Sequence, residues 1–198
     1  MKKFAKILAS VIALVIVASL CVGCFGPEAA AKATVDKVFT TLKSTNTEKV
    51  KEFLGFNDGG ANADMAGVDL FTDELLELIF KNLEYEIVDT EVVDDDNVNV
   101  TVKVTNTDMG PVFTDFLSEV TSYALAHVDE ISNMSDEEMM DLTVELLTKC
   151  LEKEDLETQT VEIVMHVYRE DGVWDIDPAQ DVIDAILGGF VEASQNMG

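Results

Sequence analysis

One stretch of the chain alternates so regularly that it constrains the fold more than any other. Val98, Val100, Val102 and Val104 are separated by the polar residues at 99, 101 and 103, with a further polar residue at 105. Side chains of a β-strand point alternately to two faces, so this spacing predicts a strand with one apolar and one polar face. A pairing shift of one residue would put all four valines in water. The chain is therefore expected to build a sheet with one face against a core.

Two further stretches alternate in the same way. Residues 85–92 come first, and Val93-Asp94-Asp95-Asp96-Asn97 separates them from the valine strand as a hairpin turn. Residues 158–169 alternate again, and Glu170-Asp171-Gly172 is a tight turn into Val173-Trp174-Asp175-Ile176. These patterns predict an antiparallel sheet of about four strands.

Apolar residues at helical spacing predict the remaining elements. N-terminal helices are expected at 33–44, at 47–54 and after the N-cap residue Thr72. Gly110-Pro111 opens two antiparallel helices inserted between strands, and the second starts at a capping box of Ser135 and Glu138. One last helix is expected at 179–192. The prediction is a single α+β domain over residues 34–198.

The charge excludes two classes of partner. The chain has 13 basic and 39 acidic residues, a net charge of −26. Nucleic acids and anionic lipid headgroups attract basic surfaces, so we expect this protein to bind neither. An acidic surface can simply keep an exported protein soluble, or it can recruit a basic partner or divalent cations.

The N-terminus predicts export. Lys2, Lys3 and Lys6 precede an apolar run that continues to Val22. A basic head followed by an apolar segment and a small residue is typical of a secretory signal peptide. An uncleaved transmembrane helix is the alternative, because the run is long enough to span a bilayer of about 30 Å.

The last residues of this leader indicate which type of signal peptide it is. Cys21-Val22-Gly23-Cys24 resembles the lipobox of bacterial lipoproteins, although Cys21 stands where Leu is usual. The resemblance implies cleavage after residue 23, lipid on Cys24, a tether over residues 24–33, and attachment to the extracytoplasmic face of the cell membrane. Cys150 would then be the one free thiol, with no internal disulfide, and its helical setting predicts a buried core residue.

The closing hairpin carries a second resemblance. Val161 to Asp177, with its alternating strand, charged turn with glycine and Trp-x-Ile, looks like the last hairpin of nuclear transport factor 2-like domains. With the lipobox, the chain resembles bacterial lipoproteins of unknown function that have this cone-shaped fold. The resemblance implies a curved sheet that cups a pocket under N-terminal helices, and a homodimer through the sheet face is one option. Some relatives are isomerases or dehydratases, and many only bind.

His166 is the main catalytic candidate. Tyr168 and Glu162 lie on the same side of the strand as His166. His166 would act as the general base, and the carboxylate of Asp89 or Glu162 would orient its ring. The alternative is a histidine on the outer face of the sheet or in a dimer contact.

Asp94, Asp95 and Asp96 are the candidate metal ligands, because calcium binds several oxygens. They lack the spacing of a twelve-residue calcium loop, so a solvated turn is the alternative. Phosphate-loop and dinucleotide motifs are absent from the sequence, and we expect no cofactor.

Two functions follow from these patterns. The first is a lipid-anchored, non-catalytic module that binds a partner protein or a small apolar ligand, either in a pocket or on the helices between Pro111 and Lys153. The second is an isomerase or dehydratase that uses His166. The enzyme requires His166 in a closed cavity with a carboxylate within about 3 Å.

Overall fold

The computed structural model describes residues 26–44, 47–54, 71–177 and 179–195. Cys24 and the leader lie outside these ranges. The chain forms two compact units. The first comprises the described part of Met1–Gly67 with Ile87–Thr101 and Val164–Pro178, and the second comprises Val68–Glu86, Val102–Ile163 and Ala179–Gly198.

The fold is α+β, as predicted. Four strands form one antiparallel sheet in the order β1-β2-β3-β4. The strands are β1 Glu84–Val92, β2 Asn97–Thr107, β3 Thr158–Glu170 and β4 Val173–Ile176. The described residues also form eight helices, which are α1 Pro27–Leu42, α2 Thr47–Phe53, α3 Asp73–Phe80, α4 Met109–Ala126, α5 Val128–Ile131, α6 Asp136–Leu151, α7 Gln180–Ile186 and α8 Phe190–Gln195. None of these helices is both long and apolar enough to cross a membrane.

The valine strand is confirmed. All four valines of β2 are at most 1% exposed, and the residues at 99, 101, 103 and 105 are not buried. Burial alternates in the same way at the centre of β3, where Met165 and Val167 are buried and His166 is exposed. The β3–β4 pairing places Val167 opposite Ile176 and Tyr168 opposite Asp175. The period-2 pattern therefore predicted both the element and its buried face.

The first helix starts earlier than predicted. α1 begins at Pro27 with Gly26 as its N-cap, so residues 27–33 are helical. Proline suits the first helical position, because a backbone N–H there would have no acceptor within the helix and proline has none. The acidic side chain of Glu28 is stabilised by the positive end of the helix dipole. Ala31 is completely buried, so the first unit's helical layer already includes this segment.

In the first unit, α1 packs on β4 and on α2. Its buried stripe includes Val35, Val38 and Phe39. The buried face of the strand residues in this unit includes Val98, Met165 and Val167, among others. The unit is thus a helix layer against the apolar face of a sheet, which is the arrangement expected for an amphipathic helix and a one-sided sheet.

In the second unit, α4 and α6 form the predicted pair of antiparallel helices. Lys149 pairs with Glu119 at 2.9 Å and Lys153 with Asp115 at 2.6 Å, so rising numbers on one helix meet falling numbers on the other. The Ser135 capping box is present at the start of α6. Cys150 is a buried free thiol, as predicted, and burial raises its pKa. A buried thiol with a raised pKa is a packing residue rather than a nucleophile.

The expected single C-terminal helix is wrong, because α7 and α8 are separate helices. Gly188 and Gly189 adopt positive φ angles of 66° and 76°, which an α-helix cannot contain. Asp184 then caps the new helix, since its carboxylate accepts hydrogen bonds from the backbone N–H of Val191 at 2.8 Å and of Glu192 at 3.2 Å. The chain therefore makes a turn at these two glycines, and a second helix follows it.

The backbone of Gly188 lies directly against β2. A Cβ atom at this position would lie 2.0 Å from the carbonyl oxygen of Thr107. The Gly188 carbonyl accepts hydrogen bonds from Met109 N at 2.9 Å and from Gln159 Nε2 at 2.7 Å. Beside it, the buried Asn106 donates to the Ile186 carbonyl at 2.8 Å. The absence of a side chain at residue 188 therefore allows this contact to form.

We predict that Gly188→Ala destabilises the protein far more than Gly172→Ala. Both glycines have positive φ, but a Cβ at Gly172 would meet nothing within 4 Å. Gly172→Ala should therefore lower the free energy of unfolding only by the strain of a left-handed residue, about 1–2 kcal/mol. Gly188→Ala adds a backbone clash and should lower it by about 4 kcal/mol or more. Chemical denaturation measures both values, and equal losses would contradict the close contact.

Candidate functional site

His166 lies at an exposed position of β3 in the first unit. Its Nδ1 atom is 3.1 Å from Oδ1 of Asn99 on β2, and Asn99 Nδ2 is in turn 3.5 Å from Oε2 of Glu91. The ring of Tyr168 is stacked beside the imidazole, with centroids 6.4 Å apart. The hydrogen bond to the Asn99 amide fixes the orientation of the ring.

Asp175 joins this group through strand pairing. It lies opposite Tyr168 on β4, and its Oδ1 accepts a hydrogen bond from Ile176 N at 2.8 Å. Burial raises the pKa of Asp175. Burial also raises the pKa of Tyr168, and Asp175 and Glu170 raise it further. Asp175 is not among the residues predicted from the sequence, although the turn at 170–172 already places residues 168 and 175 opposite each other.

The two proposed orienting acids are both exposed. Asp89 is exposed on β1 in the first unit, and Glu162 is exposed on β3 in the second unit. Their roles as acids stay predictions.

The three turn aspartates do not converge on a common point. The carboxylate of Asp94 accepts hydrogen bonds from Asp96 N and from Asn97 Nδ2, both at 2.8 Å, and the Asn97 bond is the main cause of its lowered pKa. Asp96 instead accepts from Arg169 Nε at 2.6 Å, and the guanidinium lies 5.5 Å from the centre of the Trp174 ring. Asp95 is exposed. In the part of the chain that the structure describes, no three His, Cys, Asp or Glu residues are grouped to hold a metal ion.

The far end of the α4–α6 pair is a different kind of surface. We call residues 117–145 the hairpin tip; it comprises the second half of α4, α5 and the first half of α6. All 29 residues are described and not one of them is buried. Four apolar side chains are strongly exposed, namely Leu125 at 78%, Val128 at 60%, Leu117 at 44% and Met139 at 39%. Helical spacing extends the apolar stripe of Phe113 and Phe116 to Leu117, and that of Leu146 to Met139, so it predicts a core position for both. Both side chains are exposed instead, so this prediction is wrong.

Aromatic and acidic groups accompany these apolar residues. The rings of Tyr123 and His127 are stacked with centroids 4.3 Å apart, and His127 Nδ1 lies 2.9 Å from Glu130 Oε2. The hairpin tip has no lysine or arginine in its sequence. Its acidic residues are Glu119, Asp129, Glu130, Asp136, Glu137, Glu138, Asp141 and Glu145. The surface is therefore apolar and negatively charged at once.

Comparison with known sequences places the chain in a family. Residues 31–191 match the family described as "Domain of unknown function (DUF5105)". The chain belongs to this family. The matched range starts in α1 and ends in α8, so the sheet and the hairpin tip are both parts of the family domain. No curated protein matches the chain.

A solved structure supports the fold. The crystal structure of a candidate lipoprotein (ycdA) from Bacillus subtilis subsp. subtilis str. 168 is similar to this chain, with a TM-score of 0.53 and 16% sequence identity. The match covers 82% of this chain but only 56% of the Bacillus protein. At this identity the similarity concerns the fold alone.

We predict that Asp175→Asn stabilises the protein at neutral pH. The raised pKa means that the folded state binds a proton on Asp175 more tightly than the unfolded state does. Stability associated with this group is therefore greatest at low pH and falls as the pH rises through the ordinary aspartate range and above it. Asparagine keeps the acceptor for Ile176 N and has no charge, so the variant should melt at a higher temperature at pH 7.

The difference should disappear near pH 3, where both side chains are neutral in both states. Asp89→Asn, at an exposed position of β1, is the matched control and should change the melting temperature little at either pH. A lower melting temperature for Asp175→Asn at pH 7 would show that the charge at this position is stabilising.

Proposed function

We propose that this chain is a membrane-anchored, extracytoplasmic lipoprotein whose domain binds another protein and catalyses no reaction. The exposed apolar surface of the hairpin tip is the observation that carries the proposal. Leu125 and Val128 are the most exposed large apolar residues among those described. Exposed apolar surface on a soluble protein often marks the place where a partner binds.

The geometry of the two helices explains why this surface stays open. Near its base the pair is buried, because Phe113 and Phe116 on α4 and Leu146 and Leu147 on α6 contribute to the core of the second unit. Beyond Phe116 and before Leu146 no residue of α4, α5 or α6 is buried. Two packed helices cover only part of their apolar stripes, so a third layer is needed to bury the rest. A bound protein would supply that layer.

The sequence of the leader is the reason for proposing a membrane anchor. The resemblance of Cys21-Val22-Gly23-Cys24 to a lipobox supports lipidation of Cys24, and the similar Bacillus structure is of a candidate lipoprotein. Export through this leader would place the acidic domain outside the cytoplasm, attached through lipid and repelled from anionic headgroups.

The surroundings of His166 support the absence of catalysis. The isomerase or dehydratase alternative requires a closed cavity and a carboxylate close to the ring. His166 is exposed instead, and its hydrogen bond is to the amide of Asn99. The cone-shaped nuclear transport factor 2-like fold, a homodimer through the sheet face and a small apolar ligand stay predictions.

Native mass spectrometry of the full chain, extracted from its host's membranes in mild detergent, tests both parts of the proposal. We expect a mass that lacks residues 1–23 and includes lipid, together with a complex that contains a second protein. Cys24→Ala should remain unprocessed and lack the lipid mass. Cys150→Ala is the matched control and should keep it, because that thiol is buried.

Two outcomes contradict the proposal. Lipid on the Cys24→Ala chain would remove the anchor. A wild-type chain that carries a small metabolite in the domain and turns it over, with no protein bound, would replace the binding function with catalysis.

A further inference from the structure

We propose that the hairpin tip binds a basic amphipathic helix of a partner protein. The inference rests on the proposed binding function and adds the site and the chemistry of its occupant. The site consists of the exposed apolar residues of the hairpin tip and the acidic residues of the same segment.

The apolar part of the site lies where α4 passes into α5. Leu125 is near the end of α4, and Val128 begins α5. In sequence, His127 lies between them and Tyr123 precedes Leu125, and the rings of Tyr123 and His127 are stacked. Rigid aromatic and aliphatic groups on a preformed helical turn can receive apolar side chains of a helix at small entropic cost. An occupant therefore needs an apolar stripe at helical spacing.

The charged part of the site belongs to the same segment of the chain as the apolar part. Glu130 lies against His127, and Glu130 and Glu145 both add to the raised pKa of Tyr123, which burial raises first. The carboxylate of Glu130 therefore lies beside the aromatic stack. Glu119 pairs with Lys149 outside the tip, and Glu138 caps α6 through Ser135. The remaining acids of the tip have no cation within the tip sequence to neutralise them.

Charge complementarity selects the occupant. A second copy of this chain would bring another net charge of −26 to the same surface, and an anionic membrane or a nucleic acid would also be repelled. An uncharged lipid surface would attract the apolar residues but would have to exclude eight carboxylates from water. A helix with lysine or arginine on both borders of an apolar stripe satisfies both parts of the site.

Titration with a synthetic peptide tests the inference. The full chain is reconstituted in nanodiscs of zwitterionic lipid and titrated by calorimetry with a helical peptide that has leucine at positions i, i+3, i+4 and i+7 and lysine elsewhere. We expect binding that weakens at least about tenfold when the salt concentration rises from 50 to 500 mM. A scrambled peptide with the same composition but no apolar stripe should bind at least about tenfold more weakly.

Matched variants locate the site. The double variant Leu125→Ser and Val128→Ser should weaken binding about tenfold or more, and Asp129→Asn with Asp141→Asn should weaken it and reduce its salt dependence. Val164→Ser, at an exposed position of β3, and Asp89→Asn are the controls and should change the affinity less than about twofold. All these positions are exposed, and melting curves verify that each variant is folded.

Three results would overturn the inference. The scrambled peptide binding as tightly as the helical one would show attraction by charge alone. Equal losses in the tip variants and the controls would place the peptide elsewhere. A fluorophore on Ser132→Cys that is quenched by brominated lipid, without peptide, would show that the tip inserts in the membrane.

Failure of this inference can be separated from failure of the proposed function. If native mass spectrometry finds a bound protein but the peptide does not bind, the class of partner is wrong and the binding function stands. If native mass spectrometry finds no bound protein and the peptide does not bind, the proposed binding function and the proposed class of partner are both wrong.

Discussion

The contact between the backbone of Gly188 and the carbonyl of Thr107 is the constraint on which the second unit depends. It holds the turn between α7 and α8 against the end of β2, and the Gly188 carbonyl in turn receives the N–H of Met109 at the start of α4. Two residues further on, the Phe190 ring lies 5.1 Å from that of Phe113 on α4. One glycine thus positions the C-terminal helices and the base of the helical pair together.

The pair of helices α4 and α6 is buried at its base and exposed to solvent at its tip. At the base, Phe116, Leu147 and Cys150 are buried, and the ion pairs to Lys149 and Lys153 join the two helices. Beyond Phe116 and before Leu146 every residue keeps contact with solvent, although α4 and α6 each extend there for about three turns. A surface held rigid at one end needs little ordering when it binds, and this reduces the entropic penalty of association.

Features set by local chemistry could be predicted from the sequence, and features set by tertiary contacts could not. The β2 valines revealed their strand because period-2 burial is a property of the strand itself, and Ser135 with Glu138 revealed the start of α6. Helical spacing correctly gave α4 an apolar stripe, but spacing does not determine whether anything covers Leu117. Asp175 was missed for a similar reason, because its partial burial arises only when β4 pairs with β3.

Hydrogen–deuterium exchange of the full chain, with and without the basic amphipathic peptide, tests the central claim that the hairpin tip is the binding surface. The account predicts slower exchange of backbone amides within residues 117–145 when the peptide is present, and unchanged exchange in β2 and β3. Protection confined to the strand residues around Asn99 and His166, with none at the tip, would contradict it and would place the binding surface on the open face of the sheet in the first unit.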